Sequence, residues 1–219
     1  MQDEMASGGS ARKPYHHGNL REALIDGAIA IIQEQDIAAV SLRKVARQIG
    51  VTNAAPYHHF ANKTALLSAV AAEGFRVLVE RGTAAIEAEA SPRAQLNALG
   101  MTYLSVAIEH PAHYQVMFRS DLHQADCEDL ECVSGDAFGM LVGIIDRLRE
   151  ELGAEGDVLP VTLSTWSMVH GFATLWTQGA LEKKTGIEDW SPLAQHILRM
   201  LGDLVMRELE AMCPDSGHE

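Results

Sequence analysis

The stretch SLRKVARQIGVTNAAPYHHFANK, from Ser41 to Lys63, leaves this chain few ways to fold. Ser41 is placed to cap a helix, Leu42, Val45, Ala46 and Ile49 fall at i, i+3, i+4 and i+7, and Gly50 stops it. Glycine enters the left-handed conformation without a Cβ penalty, so the chain can reverse there within a few residues. Thr52 is then placed to cap a second helix through the amide of Ala54 or Ala55, with Asn53, Ala54, Ala55 and Tyr57 facing outward. Pro56 stands fourth in that helix and forfeits one hydrogen bond, a cost tolerated so early in a helix. Two short helices crossed over a glycine-containing turn make a helix-turn-helix, whose second member enters the DNA major groove.

Helical punctuation continues along the rest of the chain. Before the motif, Leu20, Leu24, Ala28, Ile31 and Ile32 form one stripe of a helix from about Asn19 to Gln35, with Asn19 as its cap. After it, Asn62 caps a long helix to about Ala90 that bridges head and body. Ser91-Pro92 and Ser191-Pro192 each read as a cap followed by proline at the first helical position, and His110-Pro111 is a break. Between these points the pattern predicts a short helix from Pro111 to Phe118, an acidic loop over Ser120 to Glu131, and helices over Leu130–Leu152 and Leu159–Leu181. A polar connection spans Glu182 to Trp190, and a last helix runs to about Met212. No segment has a convincing period of two. The expected fold is all-α: a flexible arm over residues 1–14, a three-helix DNA-binding head over 15–62, and a helical body of about six helices over 63–219.

From Tyr15 to Phe75 the chain resembles the DNA-binding domain of the TetR/AcrR regulators, with Tyr57, His59, Phe60, Asn62 and Lys63 as the most specific part. The segment Val169-His170-Gly171 is similar to a Trp-His-Gly signature of one C-terminal subgroup, with Val169 where the signature has Trp. The resemblance implies a homodimer joined by the last two helices and a small-molecule effector bound in the body. It also implies a repressor that leaves a palindromic operator when the effector binds. A two-fold dimer suits a helix-turn-helix in any case, because it reads two half-sites one helical turn apart.

A formal net charge of −13 is unsuited to binding double-stranded DNA until it is divided along the chain. Residues 12–63 carry seven Lys or Arg against four Asp or Glu, leaving the excess acid on the remainder. A basic module on an acidic body concentrates phosphate affinity on one face. Within that module Asn53 can pair with adenine, Ala54 and Ala55 can meet thymine methyls, and Arg43 can reach guanine or phosphate. Thr52, Tyr57, His59 and Lys63 would anchor the DNA backbone. Arg12 and Lys13 could form an arm into a neighbouring groove, and His16 and His17 could either pack or touch phosphate.

In the body, Tyr103, Tyr114, Phe118, Phe138, His170 and Trp176 are the expected effector-pocket residues, with Met117, Met168 and Phe172 as adaptable neighbours. His170 is the leading polar group among them. His123, Cys127 and Cys132 lie in the acidic loop but match no zinc spacing, so no metal or other cofactor is expected. An odd count of three cysteines argues against a disulfide scaffold and for a reducing cytoplasm, and no apolar run is long enough to cross a membrane. No nucleophile elbow, P-loop, dinucleotide fingerprint or zinc-protease motif occurs, so no catalytic residue is expected. A DNA-binding regulator governed by a protein partner, or binding constitutively, is the alternative reading, ahead of an enzyme.

Overall fold

The computed structural model describes residues 20–214. The expected arm with Arg12 and Lys13, the His16–His17 pair and the Asn19 cap lie outside the described residues. Among the described residues the fold is all-helical, as expected. The first helix, α1 (Leu20–Glu34), is followed by α2 (Leu42–Ile49), α3 (Lys63–Glu87), α4 (Pro92–Glu109) and α5 (Pro111–Met117). Then come α6 (Glu128–Leu152), α7 (Leu159–Thr177), a short α8 (Ala180–Thr185) and α9 (Trp190–Ala211).

Local chemistry accounts for most of these boundaries. Ser41 Oγ accepts the Lys44 amide at 3.2 Å to start α2, and Gly50 ends it at φ +77°. Asn62 Oδ1 accepts the Ala65 amide at 2.9 Å and starts α3, and Ser91 Oγ accepts the Ala94 amide to start α4. Replacing Asn62 by Ala should therefore cost about 1 kcal/mol of stability, read as a lower midpoint in thermal or urea unfolding. A midpoint equal to the parent's would mean that the cap contributes nothing.

Three expectations are corrected. The second helix of the motif is not an α-helix capped by Thr52, but a single 3-10 turn over Ala55–His58. Pro56 has no N–H to close an α-turn onto the Thr52 carbonyl, so that carbonyl instead accepts from the Ala55 amide at 3.1 Å. α7 ends at Thr177, because Gly179 adopts φ +68°, and the polar stretch after it forms α8. Glu182 in the first turn of α8 and Lys183 and Lys184 in the last complement its dipole. The last helix is capped by Asp189, whose Oδ1 accepts the Ser191 amide at 3.0 Å, so Ser191 lies inside it.

Two apolar cores result. The first joins Leu24, Ile31, Val45, Leu66 and Val70 of the head and continues without a gap to Val116 and Met117 on α5. The second gathers Leu104, Ile144, Ile145, Leu148 and Leu209 inside the body. α3 belongs to the head core at its start, packs on α4, α5 and α6 along its length, and is the structural link between the two cores.

Candidate nucleic-acid interface and effector cavity

The head presents one polar face. Thr52, Asn53, Ala54, Tyr57 and His59 are exposed, Ala55 is half-buried, and Arg43 on α2 is exposed beside them. Pro56 and Phe60 turn inward and hold this segment down, with the Arg21 guanidinium lying 5.6 Å over the Phe60 ring. Seven of the eight residues expected at DNA thus share the segment from Thr52 to Lys63, and Arg43 flanks it.

Lys63 has a structural task that the sequence did not reveal. Its Nζ donates to the carbonyl oxygens of Ile37 at 2.8 Å and Ala38 at 3.3 Å, in the 3-10 turn that joins α1 to α2. The Ile37 carbonyl already accepts the Val40 amide at 3.2 Å, and the ammonium adds a charge-assisted bond to it and to the Ala38 carbonyl, which ties the start of α3 to the turn between the first two helices. Two of its three donors are occupied in this way. Replacing Lys63 by Ala should therefore lower the unfolding midpoint as well as any DNA affinity, whereas Arg43→Ala should leave the midpoint unchanged. Equal melting of both variants would contradict this division.

The body encloses a cavity of about 490 Å³, within the range that holds drug-sized ligands. α3 contributes Phe75 and Leu78, and α4 contributes Leu99 and Tyr103. Phe118 follows α5, Phe138, Met140 and Leu141 come from α6, and Thr165, Trp166 and Val169 from α7. Among the described residues no Asp, Glu, Lys, Arg or His side chain lines it. Of the six expected pocket residues, Tyr103, Phe118 and Phe138 line the cavity.

Tyr114 and His170 stand behind Tyr103 in a hydrogen-bonded cluster. The Tyr103 hydroxyl lies 2.7 Å from His170 Nδ1 and the Tyr114 hydroxyl 3.0 Å from it. Tyr114 also reaches the His170 carbonyl at 3.3 Å and Thr174 Oγ1 at 3.1 Å. Burial pushes the Tyr103 hydroxyl well above the ordinary tyrosine range and raises Tyr114 likewise. Burial also lowers the His170 imidazole, so it is neutral near pH 7. The Phe118 ring meets His170 edge-on with centroids 4.7 Å apart, and Trp166 closes the same group at 5.9 Å.

Other expected pocket residues lie elsewhere. Trp176 stacks on Phe172 with centroids 6.0 Å apart and is not on the cavity wall. Met117 is buried in the head core, and Met168 is exposed on the outer side of α7. Trp166 was the main omission. It stands one helical turn before His170, so the phase of α7, not its aromatic content, was the usable signal.

His123 Nε2 donates to the Val116 carbonyl at 2.8 Å, which fastens the acidic loop to α5. Among the described residues no three His, Cys, Asp or Glu side chains converge on a possible metal position, and Cys127, Cys132 and Cys213 are unbridged.

Comparison with known proteins places this geometry. Residues 24–70 match the family model described as bacterial regulatory proteins, tetR family, and residues 96–201 match the tetracyclin repressor-like C-terminal domain. The HTH-type transcriptional regulator BetI of Rhizobium meliloti is 37% identical over 79 residues, which are 36% of this chain and 39% of that protein. The chain thus spans well under half the length of that curated relative. A protein of unknown function from Rhodococcus sp. RHA1 superposes with a TM-score of 0.74 at 28% identity, covering 91% of this chain and all of that one. The transcriptional regulator FadR from Bacillus subtilis, solved with stearoyl-CoA, has the same fold, with a TM-score of 0.66 at 19% identity over 82% of this chain and 96% of that one.

Proposed function

The chain belongs to the TetR family of transcriptional regulators, and from that premise we propose that it is a homodimeric cytoplasmic repressor released from a palindromic operator by a small apolar effector. The observation that carries this reading is the position of α3. Phe75 and Leu78 of that helix form part of the cavity wall, while Lys63 at its first turn is bound to the head. An occupant that pushes on Phe75 or Leu78 therefore acts on the element that orients the DNA-reading segment. Such coupling requires the effector to bind the two head orientations with different affinity.

In this reading Asn53, Ala54 and Ala55 contact base edges, and Arg43, Thr52, Tyr57, His59 and Lys63 hold the backbone. The dimer forms through α7 and α9, where Met168 and Leu175 and then Met200 and Leu204 are exposed. FadR of Bacillus subtilis, solved with stearoyl-CoA, is consistent with a body of this fold accommodating a molecule that bears a long acyl chain.

Fluorescence anisotropy on the protein's own upstream DNA tests the reading. Selective, salt-sensitive binding that an apolar compound abolishes is the expected result. Arg43→Ala should lower the slope of log affinity against log salt by about one, while Asn53→Ala should relax preference at particular base pairs. Binding without sequence selectivity would overturn the proposal, and selective binding that no small molecule disturbs would favour control by a protein partner.

A further inference from the structure

The cavity wall has a directional polarity that narrows what it can hold. It carries no formal charge, so a carboxylate, phosphate or ammonium entering it would lose its hydration without a counter-charge. Its polar atoms are also biased. The Thr165 hydroxyl donates to the Val161 carbonyl at 2.8 Å, and the Ser134 hydroxyl donates to the Glu131 carbonyl at 3.2 Å. Both protons are committed to backbone, so each oxygen has only lone pairs left to offer.

Tyr103 follows the same rule because of His170. Two tyrosine hydroxyls approach Nδ1, whose single lone pair can accept from one. Tyr114 has other acceptors in the His170 carbonyl and Thr174 Oγ1, whereas Tyr103 makes the shorter contact, at a length ordinary for an O–H donor. With the imidazole proton on Nε2, the tautomer that leaves Nδ1 free to accept, Tyr103 donates to Nδ1 and its oxygen meets the cavity as an acceptor. Burial keeps that hydroxyl protonated and that imidazole neutral, which preserves the arrangement near pH 7. Among the described side chains that line the cavity, the Trp166 indole supplies the one N–H donor.

We propose that the cavity selects an uncharged, largely apolar molecule bearing a hydroxyl or amide N–H donor, which the Tyr103 oxygen receives, and that His170 is the positioning residue that makes Tyr103 an acceptor. This assignment rests on reading the body as the effector-binding part. It gives the histidine of the Val169-His170-Gly171 segment a role in ligand choice. His170 is not on the wall itself, and acts by holding the Tyr103 proton.

The test uses three matched probes on the full chain, para-heptylphenol, para-heptylanisole and para-heptylbenzoate, with affinities from calorimetry. The phenol donates, the anisole has the same shape but only accepts, and the benzoate is an anion. The expected order is the phenol at least about tenfold tighter than the anisole, with no measurable binding of the benzoate. Tyr103→Phe should bring phenol and anisole within about twofold of each other. His170→Ala should free the Tyr103 proton and improve anisole binding relative to phenol, a change of preference that loss of packing alone would not produce. Anisole equal to phenol in the parent, benzoate as tight as phenol, binding of none of the three, or an unchanged preference in His170→Ala would each overturn the proposal. Selective operator binding measured on the same sample keeps the two readings separate. Its presence with any of those outcomes sinks only the ligand class, and its absence sinks the regulator.

Discussion

Replacing Met200 and Leu204 together by Asp should yield a folded monomer that binds its operator at least about a hundredfold more weakly than the parent. Met200 is 58% exposed and Leu204 41% exposed on α9, one turn apart. In an isolated chain these side chains are exposed and belong to neither core, so aspartate there leaves both cores intact and the head should fold unaltered. Between two copies the same positions would be enclosed, and two carboxylates per chain facing their own copies across a two-fold axis would have to be desolvated without partners. Dimer formation should therefore be lost while thermal unfolding stays cooperative. The effect on DNA is larger than the interface alone suggests. In a dimer the second head binds its half-site at the effective concentration set by the first, and separating the heads removes that advantage. Sedimentation velocity and operator titration check both parts. A variant that remains dimeric would place the interface elsewhere, and a monomer with parental affinity would mean that a single head suffices.

How much of this was legible in the sequence depended on the range of each interaction. The Ser41, Asn62 and Ser91 caps and the Gly50 stop act within three or four residues, and all four were read correctly. The break at His110-Pro111 was equally local. The motif's second helix was misjudged because Pro56 was treated as a tolerated early loss. In fact it removes the one donor that would close the first α-turn, and a 3-10 turn forms instead. Gly179 was passed over because Leu181 continues an apolar period, while the backbone turns left-handed two residues earlier. In the body, residue type alone points to Tyr103, Phe118 and Phe138, which line the cavity, and to Trp176, which does not, and it does not single out Trp166, which does. The contacts that matter most could not be seen locally at all. Lys63 reaches carbonyls about 25 residues earlier, and Tyr103 meets His170 across 67 residues of chain. Such pairings are fixed by the packing of α3, α4 and α7, which periodicity along any one helix does not specify.

Gly74→Val should lower the melting midpoint by about 6–12 °C, from a cost of about 3 kcal/mol, and should weaken operator binding although residue 74 is neither on the DNA-reading face nor on the cavity wall. A Cβ at this position would lie 2.6 Å from Met117 Sδ and 2.9 Å from His113 Cβ, so α3 and α5 are packed too closely for a side chain between them. Met117 is buried at 3% exposure and His113 at 7%, and the His113 Cβ is fixed to its backbone, so the two helices must separate. α5 packs on α1 of the head, and its last residue is followed by Phe118 on the cavity wall. The wedge would thus be transmitted in both directions, loosening the seat of α1 and shifting Phe118 against Phe75, whose ring meets it edge-on at 5.4 Å. Glu73, the neighbour of Gly74, is held below the ordinary carboxylate range chiefly by His113, 3.5 Å away, and the same displacement would weaken that contact. Alanine at position 74 should have a smaller effect of the same sign, since only one carbon is added. Thermal unfolding and operator affinity of the two variants give the check. A valine variant that melts with the parent and binds operator equally well would mean that α5 moves aside freely, and the close contact of α3 with α5 would then have no part in positioning the head.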